Sequence, residues 1–283
     1  MGSCMILEGG GIRGAFTAGV LDTFIEEGIN FDMVIGSSAG AAMMCNFLSG
    51  QKGRSLASLL TPRNQSFYGF REFLRSGKFL NLDKMYNEGL ENDPVFDFDA
   101  YFNNPTKREY VVSNCRTGKA EYLSDNNDKN RFKLVGKASC ALPIVCRAVE
   151  LDGNRYMDGS MTDPIPVKKI EKDGYDKILF ITTKCEGCKP SDFSKWYLLM
   201  RFLYPRSYKP YIKATTKRIA ILNEEYDCIE ERSREGRAVI IAPTGEIKIG
   251  HLERDRDKIS ALYEDGRKQA AEMLPEIRKY LAK

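Results

Sequence analysis

The chain has 283 residues, 42% hydrophobic and 29% charged, enough for one large domain or two ordinary ones with a substantial core. Its net charge of +4 suits loose attraction to phosphate-bearing surfaces and falls well short of a nucleic-acid platform. No apolar run reaches the roughly 18 residues of a membrane-spanning helix, the start Met1 to Glu8 lacks the features of a secretory signal, and eight dispersed cysteines read as reduced thiols, so a cytoplasmic protein is expected.

Cys4 to Leu7 is a short apolar run broken by Gly9-Gly10-Gly11-Ile12-Arg13-Gly14. Phe16, Val20, Leu21, Phe24 and Ile25 then recur at helical spacing, predicting a helix over 15–27 that Gly28 stops. A second apolar run over 31–35 ends abruptly in Gly36-Ser37-Ser38-Ala39-Gly40, and 41–48 reads as a helix rich in small residues. Strand, turn and helix twice in 50 residues begin a parallel sheet with helices on its faces.

Residues 52–105 read as short helices and loops around Tyr68, Phe70, Phe73 and Phe79. A hairpin is expected over 109–114 and 120–123, and a helix over about 128–141 that stops before Pro143. A second hairpin spans 148–151 and 155–157 across Asp152-Gly153-Asn154. Strands are expected at 177–183 and about 239–242, with long helices at about 208–234 and 255–281. No linker or boundary stands out, so 1–283 is expected to be a single α/β domain with a mixed sheet.

Ser38 sits where a buried strand turns into a helix, with glycines two residues to either side. Such a turn pushes the central side chain outward and tolerates strain only between very small neighbours, which suits a nucleophile. The helix N-terminus beyond it favours developing negative charge. The competing reading is a chance G-x-S-x-G with Ser38 as a helix cap. An acyl-transfer serine also needs backbone N–H groups aimed at the tetrahedral oxygen, and Gly9-Gly10-Gly11, at the end of the neighbouring strand, can supply them without any Cβ in the way. The same glycines fit G-x-G-x-x-G literally. A dinucleotide site, however, expects an acid at the far end of the second strand, and Asp32 lies at its beginning. No Gly-Lys-Ser/Thr follows to make a phosphate-binding loop.

The base is either the one histidine, His251, or a carboxylate hydrogen-bonded to the serine and partly buried so that its pKa rises. Asp152-Gly153 is explained by its hairpin turn. Asp158-Gly159-Ser160 follows a strand with no reversal to make, so Asp158 is the better candidate and His251 the lesser one.

These elements in this order resemble the patatin-like phospholipase family: Gly9 to Gly14, Gly36 to Gly40, Asp158-Gly159, and the stretch Ala138-Ser139-Cys140-Ala141-Leu142-Pro143. The likeness spans roughly residues 4–185, leaving about 190–283 as a helical extension with one further strand. It implies a three-layer α/β/α fold around a mostly parallel, mixed sheet, and a Ser–Asp dyad that cleaves acyl esters without metal or other cofactor. Ser38 would then be the nucleophile and Asp158 its base. Gly9, Gly10 and Gly11 would line the oxyanion hole, and Arg13 would orient that loop or a substrate phosphate. Two departures stand out: Glu8 precedes the glycines where Asp is usual, and Ser160 follows Asp-Gly where Gly or Ala is usual.

Cys185-Glu186-Gly187-Cys188 could bind metal or cycle redox state, but a zinc site needs two further ligands, so an incidental loop is the simpler reading. Residues 193–218 interleave aromatics, Trp196 and Tyr197 among them, with Lys and Arg. That mixture suits either a membrane interface, peripheral at the inner membrane surface, or an amphipathic helix pair over the core. The expected function is a serine acyl hydrolase of lipid esters. The alternatives are an idle lipid-binding or regulatory protein of the same fold and a small-ester hydrolase. No nucleic-acid partner is expected.

Overall fold

Alternate residues of the first strand point to opposite sides, and both sides are apolar. Cys4 and Ile6 of β1 (Gly2–Leu7) join one core, Met5 and Leu7 the other, and all four are buried. A strand covered on both faces reads as a continuous apolar run, and β1, β2 (Met33–Gly36) and β7 (Tyr175–Ile181) share that pattern. One face packs against α1 (Gly14–Glu26), α2 (Ala39–Leu48), the Lys129–Ser139 helix and the C-terminal Arg256–Ala282 helix. The other packs against the Val167–Lys172 and Arg218–Arg234 helices. The result is the expected three-layer α/β/α arrangement.

This computed structural model describes residues 2–92, 94–184 and 192–282. The remaining strands are β3 (Lys107–Asn114), β4 (Ala120–Leu123), β5 (Val149–Leu151), β6 (Asn154–Asp158) and β8 (Ala238–Ile241). The sheet order is β5-β6-β3-β2-β1-β7-β8, with β4 paired to β3 beside this path. From β3 to β8 along this order the pairings are parallel, whereas β4 and β6 each pair antiparallel to β3, and β5 pairs antiparallel to β6. Because β1 and β2 are parallel neighbours with Leu7 opposite Gly36, the glycine loop and the serine turn leave the same edge of the sheet. β6 ends at Asp158, opposite Val112 of β3.

Several boundaries differ from the sequence reading, three of them for a local reason. The expected helix over 208–234 is two helices, Lys209–Thr215 and Arg218–Arg234. The helix expected to reach 141 ends at Ser139, because Ser139 and Cys140 turn to bind the serine turn. β7 stops at Ile181 rather than 183, since Thr182 and Thr183 are engaged by Glu8. The Val167–Lys172 helix had no clear signal. Cys185 and Cys188 lie outside the described residues. The six described cysteines are free thiols, and no described helix is long and apolar enough to cross a membrane.

The C-terminal helix crosses α1 backbone to backbone. A Cβ on Gly19 would lie 2.0 Å from the Tyr263 carbonyl oxygen, and one on Gly266 would lie 2.1 Å from that of Phe16. Gly266→Ala therefore has to force the two helices apart. It is expected to destabilise the fold by about 1–3 kcal/mol, read as a lower urea midpoint. An unchanged midpoint would show that this contact tolerates separation.

Candidate active site

Ser38 has φ 52° and ψ −124°, a left-handed backbone that a residue with a Cβ rarely adopts. Such strain costs on the order of 1–3 kcal/mol and persists only where surroundings over-determine it. Here the Ser38 N–H donates to both the carbonyl and the hydroxyl oxygen of Ser139, each at 3.1 Å. The Ser139 hydroxyl in turn donates to the Val111 carbonyl at 2.8 Å, and the Cys140 thiol donates to the Ser38 carbonyl at 3.3 Å. Close packing completes the clamp, since a Cβ on Gly40 would stand 2.2 Å from the Leu7 carbonyl oxygen. The serine is held at the N-terminus of α2, where the helix dipole favours negative charge.

The glycine loop lies directly alongside. A Cβ on Gly9 would come within 2.9 Å of the Ser38 Cβ, and one on Gly10 within 2.4 Å of the Thr183 hydroxyl. Gly11 has φ 59° and faces the His251 carbonyl. Among the described residues, no acceptor is hydrogen-bonded to the N–H of Gly10 or Gly11, and both glycines line the same cavity as Ser38. Glu8 ties this loop down. Its carboxyl accepts from the Thr182 hydroxyl (2.7 Å), the Thr183 N–H (2.7 Å) and the Tyr226 hydroxyl (2.8 Å). Glutamate before the glycines is thus built into the fold.

Asp158 is fully buried at the end of β6. Its Oδ1 accepts from the Ser160 N–H (2.9 Å) and hydroxyl (2.7 Å). Its Oδ2, also buried, has no partner at full hydrogen-bond geometry among the described residues. The carboxyl nevertheless has the Ser38 hydroxyl as a hydrogen-bonding neighbour. A contact of this looser kind is common between catalytic groups at rest. Burial pushes the Asp158 pKa above the ordinary carboxylate range, against the lowering effects of Ser160, Ser38 and the Arg218 charge. The Arg218 Nε donates to the Ser160 carbonyl at 2.9 Å, so this cation braces the residue that holds the carboxylate. The Ala138–Pro143 stretch links the two halves of the site: Asp158 N–H donates to the Ala141 carbonyl at 2.9 Å while Ser139 holds Ser38.

His251 does not compete for the serine. The Arg13 guanidinium Nη2 lies 2.9 Å from its Nε2, and the Gly10 carbonyl lies 3.1 Å from its Nδ1. That pattern requires the proton on Nδ1 and leaves neither ring nitrogen to accept another. Partial burial and then the Arg13 charge push its pKa down to about 4, so the ring is neutral near pH 7. Its own carbonyl accepts from the Ile12 N–H at 3.1 Å. Histidine and arginine together brace the glycine loop. Asp152 lies in its hairpin turn, paired with Arg131 at 2.7 Å.

A cavity of about 440 Å³ is lined by Ser38, the three loop glycines, Arg13, Arg218 and His251. It follows one stripe of α2, through Ser38, Ala39, Ala42, Met43 and Asn46, beneath the apolar side chains Leu59, Leu80, Met85, Leu90 and Phe132. A hydroxyl beside backbone donors and near a buried carboxylate, facing a largely apolar cavity, is an arrangement suited to acyl transfer. Sequence reasoning overlooked Ser139 as the clamp, Glu8 as the tether and Arg218 as the brace. Ser139 carried a signal within its motif, but Arg218 was merely one cation in a basic stretch.

A family model described as Patatin-like phospholipase matches residues 5–169, and one described as a domain of unknown function (DUF6363) matches 208–282. The uncharacterized protein YjjU of Escherichia coli K12 is 33% identical over 186 residues, covering 63% of this chain and 51% of its own. The chain therefore spans about half the length of that curated relative. Among solved structures, VipD from Legionella pneumophila aligns with 97% of this chain and 67% of its own, at TM-score 0.48 and 12% identity.

Removing the Ser139 hydroxyl withdraws one acceptor from the strained serine and one donor from Val111. Ser139→Ala is expected to destabilise the protein by about 1–3 kcal/mol and to lower kcat more than it raises KM, since the serine turn loosens while the cavity stays. Thermal unfolding and steady-state kinetics on a soluble ester check both; an unaltered kcat would show that the turn holds without it.

Proposed function

Because the chain belongs to the patatin-like phospholipase family, whose activity is in general the hydrolysis of lipid acyl esters, we propose that it is a serine acyl hydrolase working through a Ser38–Asp158 dyad. The observation that carries this reading is the buried Oδ2 of Asp158, without a full hydrogen-bond partner among the described residues, beside a serine held in a strained backbone. Ser38 Oγ attacks the ester carbonyl as Asp158 takes its proton. The oxygen that becomes negative is met by the Gly10 and Gly11 N–H groups and by the N-terminus of α2. Collapse of the tetrahedral intermediate expels the alcohol, which receives the proton from Asp158. Water then attacks the acyl-enzyme with Asp158 as base, releasing the fatty acid and restoring Ser38. The substrate is a phospholipid or lysophospholipid whose acyl chain occupies the apolar cavity, and Arg13 keeps the glycine loop in register.

A fluorophosphonate probe should label the wild type, and Ser38→Ala should abolish labelling. Asp158→Asn should lose at least about a hundredfold in kcat, whereas His251→Gln should keep most activity; the reverse pattern would make the histidine the base. The dyad also has a pH signature. Asp158 must be ionised to accept the proton and burial raises its pKa, so kcat/KM falls with decreasing pH at a higher pH than for an ordinary carboxylate. Ser160→Ala removes a hydrogen bond that favours the ionised form and should move this acid limb to still higher pH. An acid limb that stays put in that variant would remove Asp158 from the rate-determining ionisation.

A further inference from the structure

Ten large hydrophobic side chains are exposed among the described residues, and they are not scattered. Eight lie on two short helical segments, 70–76 and 194–203, and a ninth, Leu252, lies on the wall of the cavity itself. Phe202 and Leu198 are 87% and 80% exposed, and Leu74 and Phe70 are 70% and 67% exposed. Both segments are joined to the rim of the cavity. Tyr68 and Phe79 flank the first and line the cavity, and Phe193 immediately precedes the second and lines it too. The Tyr204 hydroxyl, just past the second segment, accepts from the Ile144 N–H at 2.7 Å, between Leu142 and Val145 of the cavity wall. Isolated exposed hydrophobics need no explanation, whereas eight on two segments that both border one cavity do.

Charge points to the occupant. Residues 193–217 contain six Lys and Arg, all exposed, and no Asp or Glu. The first segment carries Arg71 and Arg75, and its one acid, Glu72, is turned inward onto Asn81 and Lys84. A second copy of the chain on this face would set like charges against each other and cover the cavity mouth. An anionic bilayer would neutralise those cations while its acyl region receives the apolar tips, and the opening between them would face the lipid. Neither segment can span a bilayer, so the contact is interfacial.

We infer that segments 70–76 and 194–203 form a two-pronged platform that seats the cavity mouth on an anionic lipid surface. This rests on the acyl-hydrolase reading, because the platform feeds the Ser38 cavity. The test is sedimentation of full-length protein with vesicles of phosphatidylcholine alone and of phosphatidylcholine with phosphatidylglycerol. The wild type should partition onto the second kind in preference to the first, and less so as salt rises. Leu198→Ser/Phe202→Ser and Phe70→Ser/Leu74→Ser should each weaken that partitioning by about tenfold or more and leave turnover of a soluble short-chain ester at the wild-type level. Ser38→Ala should still bind vesicles. Equal binding by the double variants, or equal binding to both vesicle types, would overturn the platform while the hydrolase reading stands. A dimer in sedimentation velocity that the same variants dissociate, without vesicle binding, would assign the face to a second copy and overturn it as well. Vesicle binding with no hydrolysis of any ester would instead remove the reading of Ser38.

Discussion

The left-handed backbone of Ser38 is the constraint around which the rest is arranged. A β-carbon at φ 52° is disfavoured, and relaxing it would turn the hydroxyl away from the cavity. Holding it requires fixed acceptors for the Ser38 N–H and helix α2 close against the end of β1. The first comes from Ser139 at the end of a helix that crosses behind the turn. The second is possible because Gly40 has no side chain to meet Leu7. The stretch that follows the helix supplying Ser139 fixes Asp158 through Ala141, so strain at the serine and placement of the carboxylate depend on one segment.

Electrostatics divide the two carboxylates near the site into different roles. Asp158 has one oxygen satisfied by Ser160 and the other without a full partner among the described residues, inside a site that penalises its charge. That is an unstable arrangement for a structural residue and a useful one for a proton acceptor. Glu8 has donors on both oxygens and works as a tether. Unequal satisfaction, rather than proximity, distinguishes the two carboxylates.

Much of this was legible in the sequence because it depends on local pattern. Apolar runs ending in glycine turns gave β1 and β2, and parallel adjacency then brought Gly9 against Ser38 as expected. Asp158 stood out because its glycine had no hairpin to explain it. The role of His251 was not legible: a lone histidine carries no periodic signal, and its partners Arg13 and Gly10 lie some 240 residues away. The break near residue 216 was also missed, although Thr215-Thr216, two poor helix formers, mark it. The basic, aromatic stretch left core packing and surface exposure both open, and the fold uses both: Met200, Tyr208 and Tyr211 are buried, while Leu198 and Phe202 are exposed.

The residues beyond 169 are more than a covering for the motif-bearing part. Arg218 braces Ser160, which holds Asp158. Tyr226 bonds Glu8, and His251 receives Arg13 and the backbone of Ile12. Each contact ends on an element of the serine, glycine or carboxylate triangle, and each spans a long stretch of chain. Because a hydrogen bond to a mobile partner fixes nothing, these braces are effective only if their own elements are rigid. Two features provide that rigidity: β8 pairs with β7 in the same sheet, and the C-terminal helix packs backbone to backbone on α1. Precision at Ser38 is therefore set partly by helix packing far from it.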